Sequence, residues 1–469
     1  MKRLLHPRLS PVVAALMLMG CASLPVPSPV PHEVTAPAEP AAPLLEALQR
    51  PLDADSAARL ALQWHPGVKA LEAGWRAQQA ELQQALRLPN PSLALARTRT
   101  RVAHDGSLST EWESEWGLHL PLGAWLAAWL QQGERFNWGL QQQAEAQAQW
   151  LLRLDLAGRS ARRAWVQAVA AEQMLSHAER AWSTAQTAAE LARRLHAVGN
   201  FSRLQWLRWE KLFAEQQLVL AQAQQAQQVA RGQLAQQLGL WQAEELKALQ
   251  LPAALPALPS QAPAAGPNEV EALGTRLDLR ASLAARSRSL ARLGVAHGER
   301  WLQGAALGLK QGRETSAEES KRKQGIELEW ALPILDRGDA RMAAAQARAE
   351  QAAWELQAQA QAVRAQVREA DSGLQHAWDR ATHHQLRLLP LQQQISEEML
   401  LRWNGMFEGP FELLQNAQAR LAAERASTEA LRDYWLAVER ARQVRWSPAE
   451  ASAAAPSSPV PQAAKADPH

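Results

Sequence analysis

Three glutamates stand at alternate positions of the segment STEWESEWGLHLP: Glu111, Glu113 and Glu115. Trp112 and Trp116 take the opposite parity. Strict alternation is typical of a β-strand with two unlike faces. A row of carboxylates can attract cations or line a water-filled path, but no nucleophile and base accompany it, and the sequence has no P-loop. The pattern therefore favours a wall between water and an apolar phase over an enzyme active site.

A preceding strand near 91–102 would complete a hairpin that turns at Asp105-Gly106. We expect pairing to be symmetric about Gly106, which sets Arg101 opposite Glu111, Arg99 opposite Glu113 and Arg97 opposite Glu115. A charged face is costly in hydrocarbon, whereas the other face is mainly apolar. Leu93 and Leu95 do not fit this assignment. The sequence predicts a transmembrane hairpin, with a soluble hairpin that buries one face as the alternative.

A second hairpin with the same alternation is predicted near 301–312 and 323–334, around a charged loop. The residues predicted to face a water-filled lumen are Arg97, Arg99, Arg101, Glu111, Glu113, Glu115, Glu327 and Glu329. Those predicted to face lipid are Trp112, Trp116, Leu118, Leu328 and Trp330. Four strands cannot close a barrel, and open edges are not tolerated in lipid. A homotrimer with twelve strands is the simplest closed arrangement, since eight strands leave no open lumen.

The rest of the chain is predicted to be helical and built as two copies of one plan. Helices are expected at 53–88, 124–197 and 202–241 in the first copy, and at 268–300, 337–404 and 409–446 in the second. The helix at 124–197 would be roughly 110 Å long, so two shorter helices should stack end to end beside it. A stripe of alanines in that helix indicates close helix packing. Pro390 should kink the second long helix.

Both chain ends lie outside this plan. The predicted segments are a signal peptide at 1–20, a lipidated N-terminus and proline-rich linker at 21–50, repeat 1 at 51–245, a linker without a packing pattern at 246–268, repeat 2 at 269–447 and a disordered tail at 448–469. Cys21 is the predicted lipidation site, because it directly follows the apolar leader. Of 50 Lys and Arg, three lie in the leader, and the remaining 47 equal the 47 Asp and Glu. This balance gives no support to nucleic-acid binding.

Several motifs in this order resemble the TolC-type outer membrane efflux factors. They are NPSL at the first strand, LPLG and LPILDRG after the hairpins, VGNFS at the first helical turn and QLAQQLGLW near the end of repeat 1. The resemblance covers about residues 50–446. It implies a mainly α-helical protein with a small transmembrane β-barrel: a trimer whose twelve strands continue into a helical tunnel across the periplasm. It also implies a periplasmic adaptor and an inner-membrane pump as partners. The lipid-anchored location in the outer membrane is expected from Cys21, because the residues that follow it are Ala22 and Ser23 and not aspartate.

The resemblance also assigns roles to the helical tips. The implied adaptor-docking residues are Val198, Gly199, Asn200, Phe201, Ser202, Gly405 and Phe407. We further hypothesise that Glu408 and Glu412 form an acidic ring at the periplasmic mouth, although solvated tip charges explain them equally well. Trp125 and Trp129 are candidates for an interfacial aromatic belt.

The substrate stays open in the sequence. Small toxic compounds are the first interpretation, and heavy-metal cations or a secreted protein are alternatives. The pair His383-His384 is isolated, so no metal site is predicted, nor is any cofactor. The rival of another class is a periplasmic coiled-coil lipoprotein that opens no pore.

Overall fold

A computed structural model describes residues 42–104, 107–130, 132–262, 269–302, 305–315, 320–329 and 338–447 of the chain. The predicted signal peptide, Cys21, the Asp105-Gly106 turn, Trp330, most of LPILDRG and the tail after 447 lie outside the described residues. Those expectations stay predictions.

The first half of the chain is helical except for one hairpin. Its helices are α1 (Ala42–Leu48), α2 (Ala54–Trp64), α3 (Pro66–Leu86), α4 (Leu122–Leu130), α5 (Gln132–Ala197), α6 (Arg203–Leu238) and α7 (Ala243–Ala248). The predicted helix at 53–88 is divided at Pro66, where the side chain of His65 accepts a hydrogen bond from the backbone N–H of Gly67 at 2.9 Å. Proline fits the first turn of a helix but removes a donor from its interior, so the chain starts a new helix there.

The second half repeats this order. Its helices are α8 (Glu269–Thr275), α9 (Leu277–Leu302), α10 (Asp339–His383), α11 (Leu389–Asn404) and α12 (Pro410–Trp446). A π-helical turn, His384–Leu388, joins α10 to α11 just before Pro390. Pro390 therefore stands in the first turn of α11 and is preceded by a wider turn, which accommodates the proline without ending the helix.

The four strands form one antiparallel sheet in the order β1 (Ser92–His104), β2 (Ser107–Leu120), β3 (Ala306–Thr315) and β4 (Ser320–Glu329). The two hairpins thus lie side by side, with β1 and β4 at the edges. The second hairpin was predicted to start near 301, but α9 continues to Leu302 and β3 begins at Ala306. Strands β3 and β4 also extend into the segment that was predicted to be a charged loop.

The long helix α5 organises the core. Helices α2, α3, α6, α9 and α12 all pack against it. The predicted alanine stripe is confirmed, since Ala178, Ala185, Ala189 and Ala192 are buried. The end of α6 also meets the start of α3, as the end-to-end arrangement predicted: a Cβ at Gly239 would lie 2.9 Å from His65 Cα.

The described part of the segment between the repeats, 246–262, is packed, which corrects the expectation of a linker without packing there. Leu249 and Leu255 are buried in the main core, and the carbonyl of Pro256 accepts a hydrogen bond from Trp435 Nε1 at 2.9 Å. The N-terminal helix α1 is held to this segment, because the backbone N–H of Gln250 donates to the carbonyl of Leu48 at 3.1 Å. The periodic apolar pattern of a helix is absent here, so the leucines that anchor the extended chain carried no sequence signal.

Candidate functional site

The register of the first hairpin differs from the predicted one by one residue. Arg99 pairs with Trp112, and Arg97 pairs with Ser114. The connection contains two residues because His104 pairs with Ser107, whereas symmetry about Gly106 assumed three. A shift of one residue moves every side chain of one strand to the other face relative to its partner. The predicted common face of arginines and glutamates is therefore wrong.

One face of the sheet, here called the ionic face, carries the carboxylates. It contains Ala96, Glu113, Glu115, His119, Lys310, Lys321, Lys323, Glu327 and Glu329. Lys310 Nζ lies 2.7 Å from Glu327 Oε2, and Lys323 Nζ lies 3.5 Å from Glu113 Oε1. The side chain of Glu111 lies outside the described part. The ionic face mixes both charge signs and suits contact with water.

The opposite face, here called the arginine face, combines apolar side chains with arginines. Its apolar members are Leu93, Leu95, Trp112, Trp116, Leu118, Leu120, Leu307, Leu309, Ile326 and Leu328. Its charged members with described side chains are Arg97, Arg99, Arg313 and Arg322; that of Arg101 is not described. Ile326 and Leu328 are 77% and 71% exposed, respectively, in the single chain. Leu93 and Leu95, which contradicted the predicted register, lie on this apolar face.

Helix α4 follows the first hairpin and adds apolar surface at its base. Trp125 Nε1 donates to the carbonyl of Pro89 at 2.9 Å, and the N–H of Gly123 donates to the carbonyl of Ala305 at 2.7 Å. These bonds tie the helix to the start of both hairpins. Leu126, Trp129 and Leu130 are exposed.

The first helical tip joins α5 to α6. Gly199 has φ +81°, which a residue with a side chain rarely adopts. Ser202 and Gln205 form a reciprocal capping box at the start of α6. The ring of His196 stacks on Trp206 with centroids 5.2 Å apart. Val198 is exposed at the end of the tip.

The second tip joins α11 to α12. Met406 has φ +59°, and Met406 and Phe407 are 93% and 83% exposed, respectively. Arg402 Nη1 lies 3.5 Å from Glu408 Oε1, so the first of the two predicted gate carboxylates has a cationic neighbour in its own chain. Glu412 is exposed in the first turn of α12.

An aromatic cluster connects the two tips, and the sequence reasoning missed it. The ring of Phe411 lies 4.6 Å from that of Phe201 and 5.0 Å from that of Trp209, between centroids. The sequence signal was an aromatic residue at each tip, Phe201 within the first tip motif and Phe411 just after the second. Phe201, named for docking, thus contacts the other tip of its own chain.

The described segments contain neither a cluster of metal ligands nor a helix that could span a membrane. No three histidine, cysteine, aspartate or glutamate side chains among the described residues converge to hold a metal ion. His383 ends α10 and His384 begins the π-helical turn. None of the described helices has the length and apolar character that a membrane crossing requires.

Comparison by sequence finds no matching family model and no matching curated protein. Comparison by structure finds outer membrane channels. The Campylobacter jejuni CmeC outer membrane channel is similar at TM-score 0.67 and 14% identity, covering 84% of this chain and 85% of its own. The outer membrane protein VceC of Vibrio cholerae matches at TM-score 0.64 and 14% identity, over 84% and 95%. The open-state Neisseria gonorrhoeae MtrE outer membrane channel matches at 0.58 and 16%, over 84% and 88%. The mainly α-helical fold with a small antiparallel sheet, expected from the TolC-type resemblance, is therefore confirmed, whereas the trimer and the closed barrel stay predictions.

Proposed function

We propose that this chain is the subunit of a trimeric outer membrane channel, a passive exit duct of a tripartite efflux system. The observation that carries the proposal is the four-stranded sheet with one ionic face and one exposed, largely apolar face, placed at the end of a bundle of long helices. Such a sheet is stable in a bilayer only if its apolar face meets lipid and its edges are paired.

The sheet edges explain why the subunits must associate. In the described chain β1 and β4 each have one neighbour, so each presents a free row of backbone donors and acceptors. Pairing β1 of one subunit with β4 of the next repeats the antiparallel pattern and closes a ring. Three copies supply twelve strands, which is wide enough for an aqueous lumen. Glu113, Glu115 and Glu327 would then face that lumen, and the arginine face would meet the membrane.

The remaining parts of the proposal concern location and partners. Cys21 would carry the lipid anchor in the outer membrane, and the exposed residues of the two tips would meet a periplasmic adaptor and an inner-membrane pump. Val198, Met406 and Phe407 support this, since exposed apolar side chains at the end of a long helical bundle form a surface suited to binding another protein. Transport energy would come from the pump, and small toxic compounds are the proposed cargo.

Disulfide trapping and conductance test the proposal together. In a Cys21→Ser background, a cysteine at Thr98 of β1 is combined in turn with cysteines at successive residues of β4. Oxidation should yield a covalent trimer at a small set of β4 positions with one parity, and the purified protein should produce single-channel currents in planar bilayers. A monomeric, non-conducting protein would contradict the channel and favour a periplasmic spacer. Susceptibility of a deletion strain to drugs and metals then separates the cargo classes.

A further inference from the structure

The charged residues of the sheet are sorted by type as well as by sign. Of the strand residues with described side chains, all four arginines lie on the arginine face: Arg97, Arg99, Arg313 and Arg322. The lysines and glutamates with described side chains all lie on the ionic face: Lys310, Lys321, Lys323, Glu113, Glu115, Glu327 and Glu329. The arginine face therefore carries positive charge without a described carboxylate to balance it.

The arginines are also sorted by height. Arg97, Ser114, Arg313 and Arg322 are aligned across all four strands in one row. The next row toward the hairpin tips contains Arg99 and Trp112, and the rows toward the helices are apolar or carry amides. Ser114 and Leu120 are six steps apart along β2, which is about 20 Å along the strand. At a barrel tilt of roughly 40° this is about 15 Å along the membrane normal.

This height places the arginines at the outer edge of the bilayer. Below the arginine row the strands provide about 15 Å of surface that is apolar except for Gln311 and Gln324. The exposed side chains of α4 extend that surface at the helical end, toward the roughly 25 Å of a typical apolar band. The hairpin tips point away from the helices, which occupy the periplasm in the proposed channel. The arginine row then lies where acyl chains of the outer leaflet meet their headgroups.

The described contacts of the guanidinium groups are with neutral side chains. In its hydrogen-bonded orientation, the amide oxygen of Gln311 accepts from Arg322 Nε at 2.9 Å and from Arg322 Nη2 at 3.0 Å. Arg97 and Arg99 rest on the ring of Trp112, with guanidinium carbons 4.5 and 5.5 Å from its centroid, respectively. A shallow depression of about 430 Å³ opens beside Arg97, Arg313 and Arg322. Its lining also includes Leu95, Trp116, Ser114, Gln311 and Glu115. Arginine is the residue best suited to bidentate phosphate binding and is less strongly hydrated than lysine. An apolar floor with a rim of guanidinium groups matches an acyl chain that ends in a phosphorylated headgroup.

We propose that the arginine face binds the phosphates of the outer-leaflet glycolipid, lipopolysaccharide, through Arg97, Arg313 and Arg322. The proposal rests on the proposed function, because it needs the sheet to be inserted with its hairpin tips outward. Trp112 holds Arg97 and Arg99 against the sheet, and the apolar rows below contact the acyl chains. Each subunit of a trimer would present one such surface, because the contacts that close the barrel use strand edges and leave the sheet faces free.

Two triple variants with equal charge change test this binding. Arg97→Gln/Arg313→Gln/Arg322→Gln removes three cations from the arginine face, and Lys310→Gln/Lys321→Gln/Lys323→Gln removes three from the ionic face of the same sheet. Purified full-length protein is titrated with bisphosphorylated lipid A. We expect the arginine variant to bind at least about 10-fold more weakly, since hydrogen bonds to charged groups are lost, and the lysine variant to bind within about 2-fold of wild type.

Further arms identify the ligand and protect the test against misfolding. Lipid A without its phosphates and phosphatidylglycerol should both bind more weakly to the wild type, and millimolar inorganic phosphate should not displace lipid A. If the glutamine variant does not assemble, Arg97→Lys/Arg313→Lys/Arg322→Lys replaces it and should still weaken binding, because lysine lacks the bidentate geometry.

The outcomes separate this inference from the channel itself. The inference is overturned if the Arg→Gln and Lys→Gln triple variants bind lipid A equally well. It is also overturned if the wild type binds dephosphorylated lipid A or phosphatidylglycerol as tightly as bisphosphorylated lipid A, or if inorganic phosphate displaces lipid A. If any of these occurs while the wild type conducts in a phospholipid bilayer, the channel stands and only the lipid site fails. A wild type that conducts no current refutes the proposed function instead.

Discussion

Phe411 brings the two helical tips into contact through its ring. Its ring lies 4.6 Å from Phe201 and 5.0 Å from Trp209, both of which belong to the first tip region. We predict that Phe411→Ala separates the tips while the long helices stay folded, because the aromatic cluster lies at the end of the bundle and the main core lies around α5.

The magnitude follows from the two lost ring contacts. Aromatic pairs at such distances are worth about 0.5–1.5 kcal/mol each beyond their area burial. Removing both should weaken the coupling of the tips by about 1–3 kcal/mol, which shifts the equilibrium between joined and separated tips about 5- to 150-fold. In the proposed channel this shift widens the periplasmic mouth and raises the open probability.

Hydrogen exchange and single-channel recording measure the effect. Backbone amides at Asn200 and Phe407 should exchange faster in Phe411→Ala, and the open probability should rise in planar bilayers. Phe407→Ala is the matched control, since its ring is 83% exposed and is not part of the aromatic cluster. If the two variants show the same exchange and the same currents as the wild type, the tips are not coupled through this cluster.

Three further predictions concern stability, each measured by thermal or denaturant unfolding. Arg276 is 1% exposed, and its guanidinium contacts Asp278 at 2.7 Å. Arg276→Met should lower the free energy of unfolding by about 3–5 kcal/mol, because it leaves a buried carboxylate unpaired. Adding Asp278→Leu should recover much of this loss. Burial, followed by the nearby Arg180 charge, lowers the pKa of His177 below its usual 6.5. As the pH falls, the unfolded chain therefore takes up a proton at His177 at a higher pH than the folded chain does. The contribution of His177 to the free energy of unfolding is complete above about pH 6.5 and is lost as the pH falls below it. His177→Gln should flatten this pH dependence. Gly199→Ala should lower the free energy of unfolding by about 1 kcal/mol through its positive φ alone. Gly239→Ala should lower it more, because its Cβ would also lie 2.9 Å from His65 Cα. Equal losses in the two variants would contradict the steric argument.

The sequence predicted the helical plan and the hairpins well because long amphipathic or alternating patterns repeat over many residues. The boundaries of α6 and α12 differ from the predicted 202–241 and 409–446 by only a few residues. The division of the first predicted helix at Pro66 had a visible cause in the proline. The break at Arg276 had none, since it depends on a buried ion pair with Asp278 and on contacts with Gln366 and Val444 from distant parts of the chain.

The strand register shows where sequence reasoning fails. Both candidate registers keep the alternation of β2, and they differ only in whether the connection holds two residues or three. That difference decides which face receives the arginines. Leu93 and Leu95 distinguished the alternatives, because only the observed register sets them beside Trp116 and Leu118. When a face is predicted from alternation, apolar positions therefore constrain the register better than opposite charges do, since exposed ion pairs contribute little energy.

The ionic face also explains why the first hairpin needs its carboxylates. Gly308 and Gly312 stand on that face of β3, and the side chains of the neighbouring strand cover them: a Cβ at Gly308 would lie 3.3 Å from Glu327 Oε2. Because Gly312, the β3 partner of Lys323, lacks a side chain, Lys323 of β4 reaches across β3 to Glu113 of β2 at 3.5 Å. The ionic contacts therefore connect the hairpin of repeat 1 to that of repeat 2. On the ionic face, opposite charges from the two repeats lie close together. On the arginine face, the apolar rows continue from β2 to β3. Both arrangements require the same pairing of β2 with β3, so a single register suits both faces of the sheet.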